Sequence, residues 1–255
     1  MSNTKKKQVK EVKNWEFECK GDLLKNLCKH AGKFTDEIPL EVDNKGVKLC
    51  AVDPAHVAML EMFVPRQGFQ TGYSAVNKDL VYKVAEPFTI GVDVERLNKT
   101  AKLMSDNDKV HSWVEGNTWF FKTDDLFKKL VLIGPPLKPK VPGIEFSVKA
   151  DVWNNKISKL LKAIDETVEY VALEAKNNVL KAVIYDDEDT LDIILSKDVK
   201  GEGKAMYSGD YLSKLLTGIG NGFMQRIIFE FSEDKPLKIT GEDYYYLLAP
   251  RIESE

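Results

Sequence analysis

Histidine and cysteine are scarce in this chain of 255 residues, three of each, and that scarcity removes several kinds of chemistry at once. Cys19, Cys28 and Cys50 are odd in number and form no CxxC pair, which argues against a disulfide framework and a zinc site. They read as reduced, mostly buried thiols. His30, His56 and His111 are scattered, with no HExxH, GxSxG or GxxxxGK motif, so no catalytic residue, metal or cofactor is expected. Long apolar runs are missing as well. The stretch around Leu130 to Pro136 stops far short of the roughly 20 residues a membrane helix needs, and no apolar stretch follows the lysine-rich N-terminus. A protein that is neither membrane-inserted nor exported is expected.

The 43% hydrophobic content suffices for one large core or two of roughly 100 to 150 residues each. The net charge of −3 hides an uneven distribution. Residues 1–14 carry five lysines against Glu11 and read as a flexible basic arm of +4, leaving −7 for the remainder.

From Trp15 onward one order of elements occurs twice. FECKGDLLKNLCKHAGK (17–33) parallels FSVKADVWNNKISKLLKAID (146–165): a strand end, a lysine, an aspartate as candidate helix cap, then an amphipathic helix. A second helix follows in each half, at 92–104 entered near Asp93 and at 207–220 entered at Ser208 and ended by glycines. Between them, β-branched and aromatic runs separated by turn signals such as Asp43-Asn44-Lys45-Gly46 and Glu115-Gly116-Asn117 read as antiparallel hairpins. GPPLKPKVPG (134–143) holds four prolines and two glycines, a stiff extended linker between domains at 15–133 and 144–255. The expected fold class is α+β, two similar domains whose antiparallel sheets are each covered on one face by two helices.

The helices are basic and the rest is acidic. Lys25, Lys29 and Lys33 lie apart from Leu24, Leu27 and Ala31; Arg96, Lys99 and Lys102 lie apart from Leu97, Ala101 and Met104. Lys156, Lys159 and Lys162 oppose Ile157, Leu160, Leu161 and Ile164, and the fourth helix offers Lys214. The four helical segments sum to +8 against −11 elsewhere. Helices sharing one surface would attract phosphates without reading bases.

Three strings resemble the PCNA family of sliding clamps: GVKLCAVDPAHVAMLEMFVP (46–65), the proline-rich linker followed by PGIEF, and KPLKITGEDYYYLLAPRIESE (235–255) with its LAPRIE ending. The resemblance covers Trp15 to Glu253. It implies a head-to-tail homotrimer whose six domains form a ring of the DNA clamp fold, with antiparallel sheets outside and two helices of each domain on the inner face, lining the hole around duplex DNA. It implies ring contacts between an edge strand at 125–132, with Leu126, Lys128 and Leu130, and one at 190–195, with Thr190, Leu191, Ile193 and Leu195. It also implies a pocket of Val52, His56, Val57, Met59, Leu137, Val141, Asp234, Pro236, Leu247, Leu248, Ala249 and Pro250. That pocket would accept the aromatic-bearing PIP motifs of DNA polymerase, flap nuclease and DNA ligase, with a clamp loader as further partner, and the tail from Arg251 to Glu253 could add main-chain pairing. The location implied is cytoplasmic and nucleoid-associated, or nuclear in a eukaryote.

The basic arm, the long stretch from Tyr73 to Ile90 and the short hairpin at Gly241-Glu242-Asp243 depart from the family pattern. An enzyme has little support: Asp186, Asp187, Glu188 and Asp189 read as a solvated turn, and Gly218, Gly220 and Gly222 follow a helix where a dinucleotide loop must precede one. The nearer alternative is a specialised clamp-like subunit that works only in a heterotrimer.

Overall fold

The computed structural model describes residues 14–69, 81–186, 189–217, 219 and 226–252. The basic arm up to residue 13, residues 70–80 of the long stretch, Asp187, Glu188, the glycines after the fourth helix and the tail from Glu253 lie outside them. The first half runs β1 (Trp15–Lys20), α1 (Gly21–Ala31), β2 (Glu37–Asp43), β3 (Gly46–Val52), β4 (Ala58–Pro65), β5 (Tyr82–Val84), β6 (Phe88–Asp93), α2 (Val94–Ala101), β7 (Lys109–Glu115), β8 (Thr118–Lys122) and β9 (Phe127–Val131). The second runs β10 (Val148–Trp153), α3 (Asn154–Ala163), β11 (Tyr170–Lys176), β12 (Val179–Asp186), β13 (Asp189–Ser196), β14 (Val199–Lys200), β15 (Gly203–Ser208), α4 (Gly209–Leu216), β16 (Arg226–Phe231), β17 (Leu237–Thr240) and β18 (Tyr244–Leu248).

Each helix forms where apolar side chains recur at helical spacing, and that stripe is buried: Leu24, Leu27, Cys28 and Ala31 in α1, Ile157 and Leu160 in α3. Asp93 and Ser208 cap α2 and α4, accepting from the Arg96 and Tyr211 amides. The expected aspartate caps of α1 and α3 are not caps. Asp22 sits inside the first turn of α1, and Asp151 is still in β10, paired with Arg226 at 3.0 Å.

The strands form three antiparallel sheets, ordered β5-β1-β7-β8-β9, β13-β12-β11-β15 and β14-β10-β16-β17-β18-β4-β3-β2-β6. The nine-stranded sheet crosses from one half to the other through the β18–β4 ladder, from Tyr244 opposite Met62 to Leu248 opposite Ala58. The linker therefore separates the halves in sequence but not in the sheet. One apolar core is continuous across both, from Trp15, Phe17, Trp119 and Phe121 to Tyr207, Phe229, Phe231 and Tyr246. Each such side chain contributes about 1.5 to 3 kcal/mol when fully buried.

Candidate functional site

The four helices share one layer. α1 packs on α2 and α4 on α3. Lys33, just past α1, donates to the Lys214 carbonyl and, at 3.2 Å, to the Leu215 carbonyl at the end of α4, which gives the order α2-α1-α4-α3. Lys29, Arg96, Lys99, Lys102, Lys159, Lys162 and Lys214 are exposed on these helices. Lys25 is half-buried and bound to Asp106 at 2.6 Å, and Lys99 pairs with Glu95 at 2.6 Å.

Lys33 departs from the expected basic face. Its ammonium neutralises the negative end of α4 and joins the two halves of the chain. Burial, then repulsion from Lys29 and Lys214, pushes it down to about 8. His30 makes a second cross-link, its Nδ1 hydrogen-bonded to the Tyr246 hydroxyl and its ring against Tyr244. Burial and the neighbouring Lys33 and Lys29 hold that imidazole down to about 4, so it is neutral.

Under the linker, on the outer side of the nine-stranded sheet, lies a cleft of about 330 Å3. Val52, His56, Val57, Ala58 and Met59 form one wall, Pro139, Lys140 and Pro142 of the linker another, and Pro236, Leu247 and Ala249 the floor and end. Cys50, Met59 and Leu247 make a small apolar cluster beneath it. A Lys138–Glu41 ion pair of 2.7 Å ties the linker to β2.

The loop that bears His56 and Val57 is built around Asp53. One carboxylate oxygen accepts from the Val57 and Ala58 amides at 2.8 and 2.6 Å. The other accepts from the Ala55 amide at 3.1 Å and from the Tyr211 hydroxyl of α4 at 2.9 Å. Burial alone would raise this carboxyl, but these four hydrogen bonds outweigh it and hold it below its ordinary range. The loop closes with His56 in the left-handed region, at φ 58°, and with the Ala249 amide on the Val57 carbonyl at 2.8 Å.

Among the described residues, two long sheet edges stay open. The end strands β5 and β14 are short, while β6 is covered by a bridge from Ile133 to Gly91 and β15 by the Arg251 amide on the Met206 carbonyl. β9 and β13 instead present exposed apolar side chains: Phe127 and Val131 on one, Leu191 and Ile194 on the other. A cleft of about 420 Å3 borders β13, lined by Asp151, Trp153, Lys156, Ile194, Leu195, Ser196, Lys197, Asp198 and Arg226.

Residues 16–118 match the family model for the proliferating cell nuclear antigen N-terminal domain. The DNA polymerase sliding clamp of Archaeoglobus fulgidus is 28% identical over 92% of this chain and 97% of its own length, and that of Methanothrix thermoacetophila is 26% identical over 92% and 97%. Among solved structures, the A. fulgidus PCNA bound to the C-terminal region of FEN-1 superimposes with a TM-score of 0.85 at 26% identity, covering 94% of this chain and all of that one. The chain is similar to PCNA-type sliding clamps along more than nine-tenths of its length.

Within this clamp fold, several expected residues lie elsewhere than foreseen. Leu248 is fully buried, because neighbours in a strand face opposite ways and Leu247 takes the cleft side. Leu137 is 97% exposed and does not line the cleft, whose linker wall is Pro139, Lys140 and Pro142. Val141, Asp234 and Pro250 are near the cleft in sequence but do not line it, Asp234 being a turn residue at φ 53°. The Arg251 amide is spent on Met206, so main-chain pairing by the tail could begin only at Ile252. At the open edges, Leu130, Ile193 and Leu195 have buried side chains and Leu126 is half-buried, leaving Lys128, Thr190 and Leu191 exposed. Lys156 is half-buried in the cleft beside β13. Phe127 and Ile194 fall on the face opposite the buried Leu130 and the buried Ile193 and Leu195, a two-residue signal present in the sequence, whereas Ala58 shares the face of Leu248 and no local pattern marks it for the cleft.

Proposed function

We propose that three copies of this chain close head to tail into a ring around duplex DNA and serve as a non-catalytic processivity and docking platform. The observation that carries this reading is the single four-helix layer bearing Lys29, Arg96, Lys99, Lys102, Lys159, Lys162 and Lys214 on an otherwise acidic chain. Spaced lysines on helices give sequence-independent, salt-sensitive phosphate contacts, and a ring that retains DNA by topology needs no tighter grip. The two open edges suit the closure: a heterologous contact closes when its rotation closes, and pairing β9 with the next copy's β13 satisfies both rows of backbone groups.

The cleft under the linker is the proposed docking site for partners carrying an aromatic-bearing PIP motif, among them DNA polymerase, flap nuclease, DNA ligase and the clamp loader. Its apolar walls match an aromatic anchor, and the prolines of its linker wall lower the ordering cost of binding. The site of action is the cell's DNA. The test is topological retention. Loaded onto nicked circular DNA, the protein should co-migrate through gel filtration in high salt, and cutting the circle should release it. Equal retention on linear and circular DNA would refute encirclement, and a purified chain that is monomeric by light scattering would favour the heterotrimeric alternative.

A further inference from the structure

The five-stranded sheet turns Trp15, Phe17, Trp119 and Phe121 into the core, and the alternate residues of β7, β8 and β9 bring a second set of rings together on its outer face. Trp113 and Phe120 are stacked, with ring centres 5.0 Å apart and planes 6° from parallel. His111 lies 5.2 Å from Trp113, and Phe127, 56% exposed, ends the row at 6.2 Å from both Trp113 and Phe120. Lysines stand among these rings. Lys129 Nζ is 5.5 Å from the Phe120 ring and 5.8 Å from that of Phe127, and Lys122 is the cross-strand neighbour of His111 and Phe127. The counterpart strands of the second half, β10 and β16, fill the same face with ion pairs instead, Lys149 to Glu230 at 3.1 Å and Arg226 to Asp151 at 3.0 Å.

The charge on this face is balanced. Glu16 and Glu18 are taken by Lys83 at 3.5 Å and Lys109 at 2.8 Å, which leaves Lys20, Lys122 and Lys129 against Glu115. In the turns beside β5 and β9 the count reverses, with Glu86, Asp124 and Asp125 against Lys128. At the far end of β7, Asp106 is held by Lys25 and Asp108 by the Ser105 amide. Such a face cannot hold a polyanion by attraction alone. The missing charge is tethered to it: residues 1–13 carry +4 and join this sheet at Asn14, whose amide donates to the Val114 carbonyl at 3.0 Å and whose carbonyl accepts from the Ala85 amide at 3.1 Å. Thirteen residues span up to about 43 Å, and β9 is three strand spacings from β1, about 14 Å, so the arm is long enough to serve the whole row.

We propose that this face binds single-stranded nucleic acid, with bases stacking on the row that ends at Phe127 and phosphates held by the lysines of the arm. Unpaired bases expose their ring faces and a duplex hides them, so a platform of rings with interleaved lysines selects the single strand without reading its sequence. The helix layer has the opposite make-up, lysines without rings, which suits duplex. The site lies within one chain and does not depend on ring closure, and pairing at the β9 edge would use backbone groups and leave the outer face open.

The test is the affinity for a fluorescein-labelled oligothymidylate, read by anisotropy over a salt series and counted per chain. Phe120→Leu with Phe127→Leu keeps the surface apolar but removes two rings, and should weaken binding about tenfold to a hundredfold with the salt slope unchanged. Phe127→Leu alone, at the most exposed ring of the row, should cost about fivefold and leaves the core untouched. Removing residues 2–13 should lower the salt slope by about three, because it takes away five lysines. Melting curves confirm that each variant is folded. Wild-type affinity in both leucine variants, or no binding by the wild type at low salt, overturns the proposal. So does a loss seen only when Lys29, Lys99, Lys102, Lys159 and Lys162 are changed to Glu, which would place the strand on the helix layer. Removal of the arm that raises the affinity overturns it as well, since the arm would then be covering the rings itself. The ring is decided separately, by retention on circular DNA.

Discussion

Replacing Asp53 by Asn tests whether one carboxylate organises the docking cleft. The side chain keeps its shape but loses its charge and one of its two acceptor oxygens. That oxygen receives the Ala55 amide at 3.1 Å and the Tyr211 hydroxyl at 2.9 Å, and a side-chain NH2 in its place would face the Ala55 N–H donor to donor. The Tyr211 hydroxyl can turn round and accept, so the main losses are the Ala55 bond and the charge behind the short bonds to Val57 and Ala58. Hydrogen bonds to a charged group contribute about 1.5 to 3 kcal/mol each, and partial replacement leaves an expected cost of about 2 kcal/mol. For a chain of this size that lowers the melting temperature by about 4 to 8 °C. Tyr211→Phe, which removes only the link from α4, should cost about 1 kcal/mol and show coupling to Asp53→Asn in a double-mutant cycle. The pH dependence gives a second check. A carboxyl held below its ordinary 3.8 stabilises the fold above that value and loses this contribution as pH falls through the lower folded value. The gap between wild type and Asp53→Asn should therefore narrow below about pH 4. Melting at fixed protein concentration decides the matter: a variant within 1 °C of wild type at pH 7, which is about an eighth to a quarter of the expected shift, would show that the loop does not depend on this carboxylate.

Met59→Ala with Leu247→Ala should weaken an aromatic PIP-type peptide about tenfold to a hundredfold by calorimetry while the ring persists, because both side chains face the cleft. Leu248→Ala should instead lose about 2 to 5 kcal/mol of stability, as a buried leucine in the shared core does, with denaturant unfolding as the measurement. Changing Lys29, Lys99, Lys102, Lys159 and Lys162 together to Glu should abolish loading on DNA and flatten the salt dependence of binding without altering peptide affinity in the cleft. His30 stays neutral when folded, while the unfolded chain takes up its proton near 6.5, so stability should fall between pH 6.5 and 4 by up to about 3 kcal/mol. His30→Asn should remove that slope in denaturation series at pH 7 and pH 5.

The repeat, the four helices and the linker were legible in the sequence because they rest on local rules. Helical spacing places Leu24, Leu27 and Ala31 on one face of α1, Asp93 and Ser208 sit where a cap must, and four prolines exclude a central strand from 134–143. The uneven charge was equally plain, since it needs only counting. Three things were decided by the tertiary structure alone. Lys33 is spaced like a surface lysine, yet the end of α4 lies within its reach, a contact across 181 residues that no local pattern encodes. Leu247 and Leu248 are the same residue type side by side, and the pairing of β18 with β4 and β17 determines which faces the cleft. The linker's composition gives its stiffness but not its path, which the Lys138–Glu41 pair helps to fix, so Pro139, Lys140 and Pro142 meet the cleft and Leu137 does not. In each case the deciding contact joins residues far apart in the chain, and its energy exists only once the sheet that crosses both halves has formed.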